Sequence, residues 1–392
     1  MKRMIALMLV ATMFVAGCGC GCGKDCAGKK DGSKCGCKGG AKPTAPATVT
    51  LPALDGAAAS IVLPKGMTNP DGMILSPCGC KVFLNITNAT NPSSSALMMI
   101  DSTNKITKVI DLPAHPETKT MVALGVAFGS DGNIYIADNQ EFAGHGDHKA
   151  RLLRVVMKDK KPVKVETVVT GMIAANAVEA YKDRIYVTET TLKAGQTPHV
   201  SGVYGFDIAE LKGDKPLAIK LDGADEHLIV KLTTTADDWC KGIGANGLAI
   251  TPDGMMYVCN FGTAEILGGQ LCSEGKLDGP LKVVAKGTKE NGMGSTDGMK
   301  YLPSKGVLIV ADFHHNAIHA INPKTGEVKT LVKNANSDGS KGQVDKPSEV
   351  CVMGNTMYIS NIDLPLDGNN ATADGKGAPD GVDTLVVVPL KW

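Results

Sequence analysis

From about residue 60 to about residue 390 the chain consists of short apolar runs, rich in Val and Ile, broken by Gly, Pro, Asn and Asp. Such short runs suit many brief strands joined by turns. No long stretch has the spacing of an amphipathic helix. Composition agrees: 46 Gly and 20 Pro supply many turns, and only 4% of residues are aromatic.

One pattern recurs. DGMILSPCGCKVFLNIT begins at Asp71, LGVAFGSDGNIYIADN at Leu124, NAVEAYKDRIYVTET at Asn176, NGLAITPDGMMYVCNF at Asn246, DGMKYLPSKGVLIVADF at Asp297 and SEVCVMGNTMYISNI at Ser348. Each copy reads as a lead residue, a strand, a turn and a second strand. The spacing is about fifty residues, the size of one four-stranded propeller blade. Between the third and fourth copies it is about twenty residues longer, which predicts an insertion within 190–245. Hairpins between the copies, such as AIHAINPKTGEVKTLV at 317–332, supply the outer strands.

The expected fold is therefore all-β, a six-bladed β-propeller over residues 48–392 with four-stranded blades. A ring must close. The last strand, from Thr384 to Leu390, belongs to the sixth blade, and an N-terminal strand from Ala47–Leu51 or Ser60–Leu63 is expected to complete it.

Ahead of the repeats, residues 1–17 have a basic start and an apolar core too short to span a bilayer, the form of an export signal. Val15-Ala16-Gly17-Cys18 resembles the lipobox of bacterial lipoproteins. That resemblance implies lipidation of Cys18 and an address in the bacterial cell envelope, at the outer membrane because Gly19 replaces the retention Asp. Residues 18–47 form a Gly- and Lys-rich tether. Its six cysteines (Cys18, Cys20, Cys22, Cys26, Cys35, Cys37) lack the paired spacing of a zinc site and suit either soft-metal binding or disulfides.

Residues 18–43 hold six lysines against two aspartates, so with a net charge of +1 for the whole chain the folded part is mildly acidic. Nothing there argues for nucleic acid. The chain is expected to be a monomer. Outside the tether, Cys78 and Cys80 sit too close in one turn for an easy mutual bridge, and Cys240 with Cys272 is the favoured pair in an exported protein.

In a propeller, the six lead residues ring the central channel. They are Asp71, Leu124, Asn176, Asn246, Asp297 and Ser348. Asx residues often precede strands for local reasons, yet two carboxylates and two amide carbonyls converging on one axis suit a hard dication such as Ca²⁺. Asp71, Asn176, Asn246 and Asp297 are the expected metal ligands.

The segments at Asn246 and Asp297 resemble the senescence-marker-protein, gluconolactonase and luciferin-regenerating family, and through it the paraoxonases. These are six-bladed propellers whose central Ca²⁺ or Zn²⁺ supports lactone hydrolysis. The resemblance implies ligand roles for Asn246, before Gly-Leu, and Asp297, before Gly-Met. It extends to Asn176, and to Asp71 in place of the family's Glu. Leu124 departs from the polar residue that gluconolactonases commonly offer, and the paraoxonase Pro-His-Gly is missing.

Residues after each second strand are expected near the same mouth: Asn85, Asn139, Asn260, His314, His315, Asn361 and Asp363, with the loop Gln140–His148 as a lid. His314, His315 or Asp297 is the expected catalytic base. His115, in an Ala-His-Pro loop ahead of the second blade, reads as structural or solvated. The leading expectation is a lipid-anchored, metal-dependent hydrolase of lactones or related small esters. The alternative is a non-catalytic, metal-stabilised propeller that binds a protein or small ligand.

Overall fold

The computed structural model describes residues 48–89, 94–235, 242–364 and 381–392. The leader, Cys18, the tether cysteines and Cys240 lie outside the described residues. Six antiparallel sheets follow one another along the chain. Blade one comprises Pro70–Leu75, Lys81–Ile86, Ala96–Asp101 and Ile106–Asp111; blade two, Ala123–Phe128, Ile134–Asp138, Ala150–Lys158 and Lys161–Met172; blade three, Ala175–Tyr181, Arg184–Glu189, His199–Asp207 and Leu228–Thr234. Blade four comprises Ala245–Ile250, Met255–Asn260, Glu265–Gln270 and Lys282–Lys286; blade five, Met299–Leu302, Val307–Asp312, Ala317–Asn322 and Glu327–Lys333; blade six, Pro347–Met353, Thr356–Asn361 and Thr384–Lys391. This is a six-bladed β-propeller.

Burial follows position in the blade. The second strand of blade five, VLIVAD, is buried at every residue because a neighbouring sheet covers each face. The outermost strand, EVKTLVK, is mostly exposed or half-buried. A separate apolar cluster fills each of the six junctions between neighbouring blades, including that between blades six and one, where Tyr358 and Leu385 meet Met73 and Leu84. The hydrophobic effect therefore acts between blades and draws them into a ring.

Closure uses the N-terminal segment. Ala59–Val62 pairs antiparallel with Thr384–Val387, and Ala53–Leu54 pairs with Leu390 and Lys391. The second of the two expected segments is thus the closing strand. The first is not a strand, although Val49 and Leu51 pack on the core of blades five and six. The insertion lies between the third-blade strands and their outer edge. It runs back to blade two, where Leu217–Ala218 pairs in parallel with Val169 and Thr170 and adds a fifth strand.

In five of the six blades the inner strand bends at its lead residue. The ladder slips there in blades one, two, three, four and six, the mark of a bulge, which kinks the strand and re-aims the side chain. The glycine after the lead has a packing reason. A Cβ on Gly72 would lie 2.1 Å from the Leu124 carbonyl oxygen, and one on Gly247 would lie 2.2 Å from that of Asp297, so the next blade's backbone occupies the space of a side chain.

Candidate metal centre in the channel

All six lead residues wall one cavity on the propeller axis: Asp71, Leu124, Asn176, Asn246, Asp297 and Ser348. The space left for a water-sized occupant is about 20 Å³, room for one water or one bare ion. Asp71, Asn176, Asn246 and Ser348 are buried, and Asp297 is half-buried.

Within the ring, Asn246 acts on Asp297 and Ser348 on Asp71, each favouring the ionised carboxyl. Asn176 donates from Nδ2 to Thr190 Oγ1 at 3.3 Å, and Thr190 in turn donates to the Ala245 carbonyl at 2.8 Å, tying blade three to blade four. Thr188 does the same to the Asn246 carbonyl at 2.8 Å. A threonine at either position holds the backbone of a lead residue's blade.

Electrostatically the two acids are under stress. Burial pushes Asp71 up to about 7, helped by the nearby Glu349 and opposed by Ser348 and Lys300. Burial likewise drives Asp297 well above the carboxylate range, and the charges of Asp71 and Glu349 add to it. Two carboxyl groups facing each other without a cation resist ionising together. Among the described residues no three His, Cys, Asp or Glu side chains cluster as a metal site. The ring has two such groups, and its other donors are amides. Two carboxylates and two carbonyl-bearing amides around an ion-sized space fit a hard dication, which prefers oxygen ligands and leaves room for water.

The second-strand residues behave differently from expectation. Asn85 donates to the Leu124 carbonyl at 2.6 Å, Asn139 Oδ1 accepts from the Phe142 N–H, Asn260 bridges to Thr233 and Thr234, and Asn361 bonds Asp345, Gln343 and Thr384. None of these four is in the cavity wall; they hold loops and neighbouring blades. His315 directs Nδ1 to the Gly292 carbonyl at 2.8 Å and lies 3.5 Å from Asp312, and the His314 ring packs on His315. The residue after that blade's second strand that reaches the wall is Phe313. His115 accepts the N–H groups of Glu117 and Thr118 within its own turn, as a structural residue would.

Phe313 belongs to a feature that the sequence reading missed. Phe261, Phe313 and Ile362 follow the second strands of blades four, five and six and pack together beside Ile243. Phe142, from the Gln140–His148 loop, lines the same cavity. The corresponding residues of blades one to three are Thr87, Asn139 and Thr190. The position after the second strand is thus apolar in blades four to six and polar in blades one to three. Within the loop, His148 is drawn away to the Gly171 carbonyl at 3.1 Å.

The cysteine expectations need one correction. Cys78 and Cys80 are bridged to each other. Gly79, at φ +69°, turns the backbone so that the two Cα atoms are 5.5 Å apart, inside the range a disulfide spans. Cys259, Cys272 and Cys351 carry free thiols; the partner suggested for Cys272, Cys240, is outside the described residues.

No family of known proteins matches the chain by sequence, and no curated protein does. Solved structures match by fold. A luciferin-regenerating enzyme superposes with a TM-score of 0.55 at 14% identity, covering 85% of this chain and 95% of its own. A gluconolactonase from Xanthomonas campestris gives 0.51 at 15%, covering 90% and 99%. The PQQ-bound aldose sugar dehydrogenase of Streptomyces coelicolor gives 0.52 at 14%, covering 86% and 100%. Proteins with different chemistries share this architecture, so the likeness establishes a six-bladed propeller of the kind found in luciferin-regenerating and gluconolactonase proteins, and the ring must carry any argument about function.

Proposed function

We propose that the chain binds one divalent cation, Ca²⁺ or a similar hard ion, through Asp71, Asn176, Asn246 and Asp297, and hydrolyses lactones or related small esters at that centre. The observation that supports this is the convergence of these four oxygen-bearing side chains, from four blades, on one ion-sized cavity. When bound, a dication supplies Lewis acidity to a carbonyl oxygen.

The chain's own residues do the rest. Asp297 is the half-buried acid of the ring, oriented by the Asn246 side chain, and takes a proton from the attacking water. Phe142, Phe261, Phe313 and Ile362 hold the apolar part of a substrate and keep bulk water from the mouth. Leu124 offers no hydrogen bond, so of the lead residues outside the cation set only Ser348 brings a polar group to a substrate. On the sequence reading of Cys18, this activity belongs to the cell envelope.

A second reading, a binding propeller without turnover, draws support from a cavity wall that contains no histidine. A panel of lactones and aryl esters, assayed with and without EDTA, separates the two. Hydrolysis that EDTA abolishes and that Asp297→Ala loses by at least about a hundredfold is expected. A folded, cation-loaded but inert protein would leave the binding reading in its place.

A further inference from the structure

Below the ring, the same inner strands gather a second set of charges. Lys300 of blade five and Glu349 of blade six form an ion pair, Nζ to Oε2 at 2.6 Å, with side-chain exposures of 14% and 7%. Glu179 of blade three is near enough to act on both. Glu349 also acts on both ring acids, Asp71 and Asp297.

The channel thus carries four carboxyl groups and one ammonium. A buried ion pair gives little net stability, because desolvation offsets the attraction. A role in fixing the local charge is the better physical account of a lysine at this place.

We infer that Lys300 sets the charge selectivity of the ring: by neutralising Glu349 it takes one negative charge out of the field at the site, which favours a divalent over a trivalent cation. This rests on the ring being a cation site. Trivalent and divalent ions differ by one charge, so adding one negative charge below the ring changes their affinity ratio by one unit-charge interaction. At the effective dielectric constant of about 20 that suits partly buried charges, one such interaction beyond direct contact is worth roughly tenfold.

The test is titration of the full chain with Ca²⁺ and with Tb³⁺, by calorimetry and terbium luminescence, at about pH 8, above the value of about 7 to which burial raises Asp71 and Glu179. Lys300→Met is expected to raise the Tb³⁺ to Ca²⁺ affinity ratio about tenfold. The double variant Lys300→Met/Glu349→Gln, which removes the pair without changing net charge, is expected to restore the native ratio. If Lys300→Met does not fold, Glu349→Gln alone leaves the ammonium unpaired and must move the ratio the opposite way. Native binding of both ions with a ratio that neither single variant shifts would overturn the inference alone. Absence of cation binding by the native chain would overturn the metal reading and the inference with it.

Discussion

Asp297 and Asp312 belong to the same blade, one leading its inner strand and the other ending its second, and the fold treats them oppositely. Burial by itself would raise both. At Asp312, hydrogen bonds from His315, His319 and the Gly294 N–H outweigh it and hold the carboxyl far below the usual carboxylate range; the Ser295 N–H and hydroxyl add to the set, at 3.0 and 2.8 Å. At Asp297 one amide side chain and one backbone N–H face the charges of Asp71 and Glu349, and the carboxyl is driven upward. Donors therefore distinguish a structural acid from one whose charge still requires a counter-ion. Asp312 is complete within the protein; Asp297 is not.

The comparison is set within a closed ring, so the largest expected effect comes from opening it. Deleting residues 44–64 removes the strand paired to Thr384–Val387 and exposes the edge of blade six. Loss of cooperative thermal unfolding, or aggregation, is expected, and unchanged melting would contradict the closure. Next in size, Asp312→Ala should destabilise the fold by about 3–5 kcal/mol in urea unfolding, because His319, Ser295 and two N–H groups lose a buried partner. Asp297→Asn should change stability by less than about 1 kcal/mol without cation, or raise it, since it removes a charge that the empty ring disfavours. Equal losses from the two substitutions would break the comparison.

The two acids also predict opposite pH responses. A folded pKa below the unfolded one gives stability that is present above about pH 4 and is lost as pH falls below it, so Asp312 contributes to acid unfolding. A folded pKa above the unfolded one gives stability that is full below about pH 4 and lost as pH rises through the folded value. With Asp71 at about 7, cation-free protein should lose on the order of a few kcal/mol between pH 4 and pH 7. Asp71→Asn should flatten that decline, and saturating Ca²⁺ should remove it. A cation-free protein whose stability rises steadily over this range would show the ring acids to be ordinary. The smallest effect is expected at the histidines: His315→Ala should cost about 1 kcal/mol in urea unfolding, through the Asp312 network, and leave Ca²⁺ affinity unchanged.

Repetition made the blades and the lead ring legible, because six copies with one role at one position stand out from the chain. The glycine after the lead was equally visible, but its cause, a neighbouring blade's carbonyl, exists only after folding. The acids and amides that end the second strands, Asp138, Glu189, Asn260, Asp312 and Asn361, are visible in the aligned copies too. Adjacency to the mouth suggested that they or their neighbours serve the site. In the structure Asp138, Glu189, Asp312 and Asn361 accept N–H groups of the loop leading into their own inner strand, as at Val122, Ala174, Ser295 and Asp345. Lys300 and Glu179 fall three residues after their lead residues and Glu349 one after, and the Lys300–Glu349 pair forms only between neighbouring blades of the folded ring, so the set could not be read as a group. The apolar cluster at the mouth escaped for a similar reason: Phe261, Phe313 and Ile362 each look like ordinary strand-end residues.

The central claim is that the ring binds a cation, and calorimetric titration of EDTA-treated full-length protein with Ca²⁺, for the native chain and for Asn246→Ala and Asp297→Asn, tests it most directly. The account predicts one binding site per native chain, with affinity reduced at least about a hundredfold in each variant while the melting temperature of the cation-free forms stays within a few degrees. A native protein that is folded and gives no binding heat with Ca²⁺, Mg²⁺, Mn²⁺ or Zn²⁺ would contradict it.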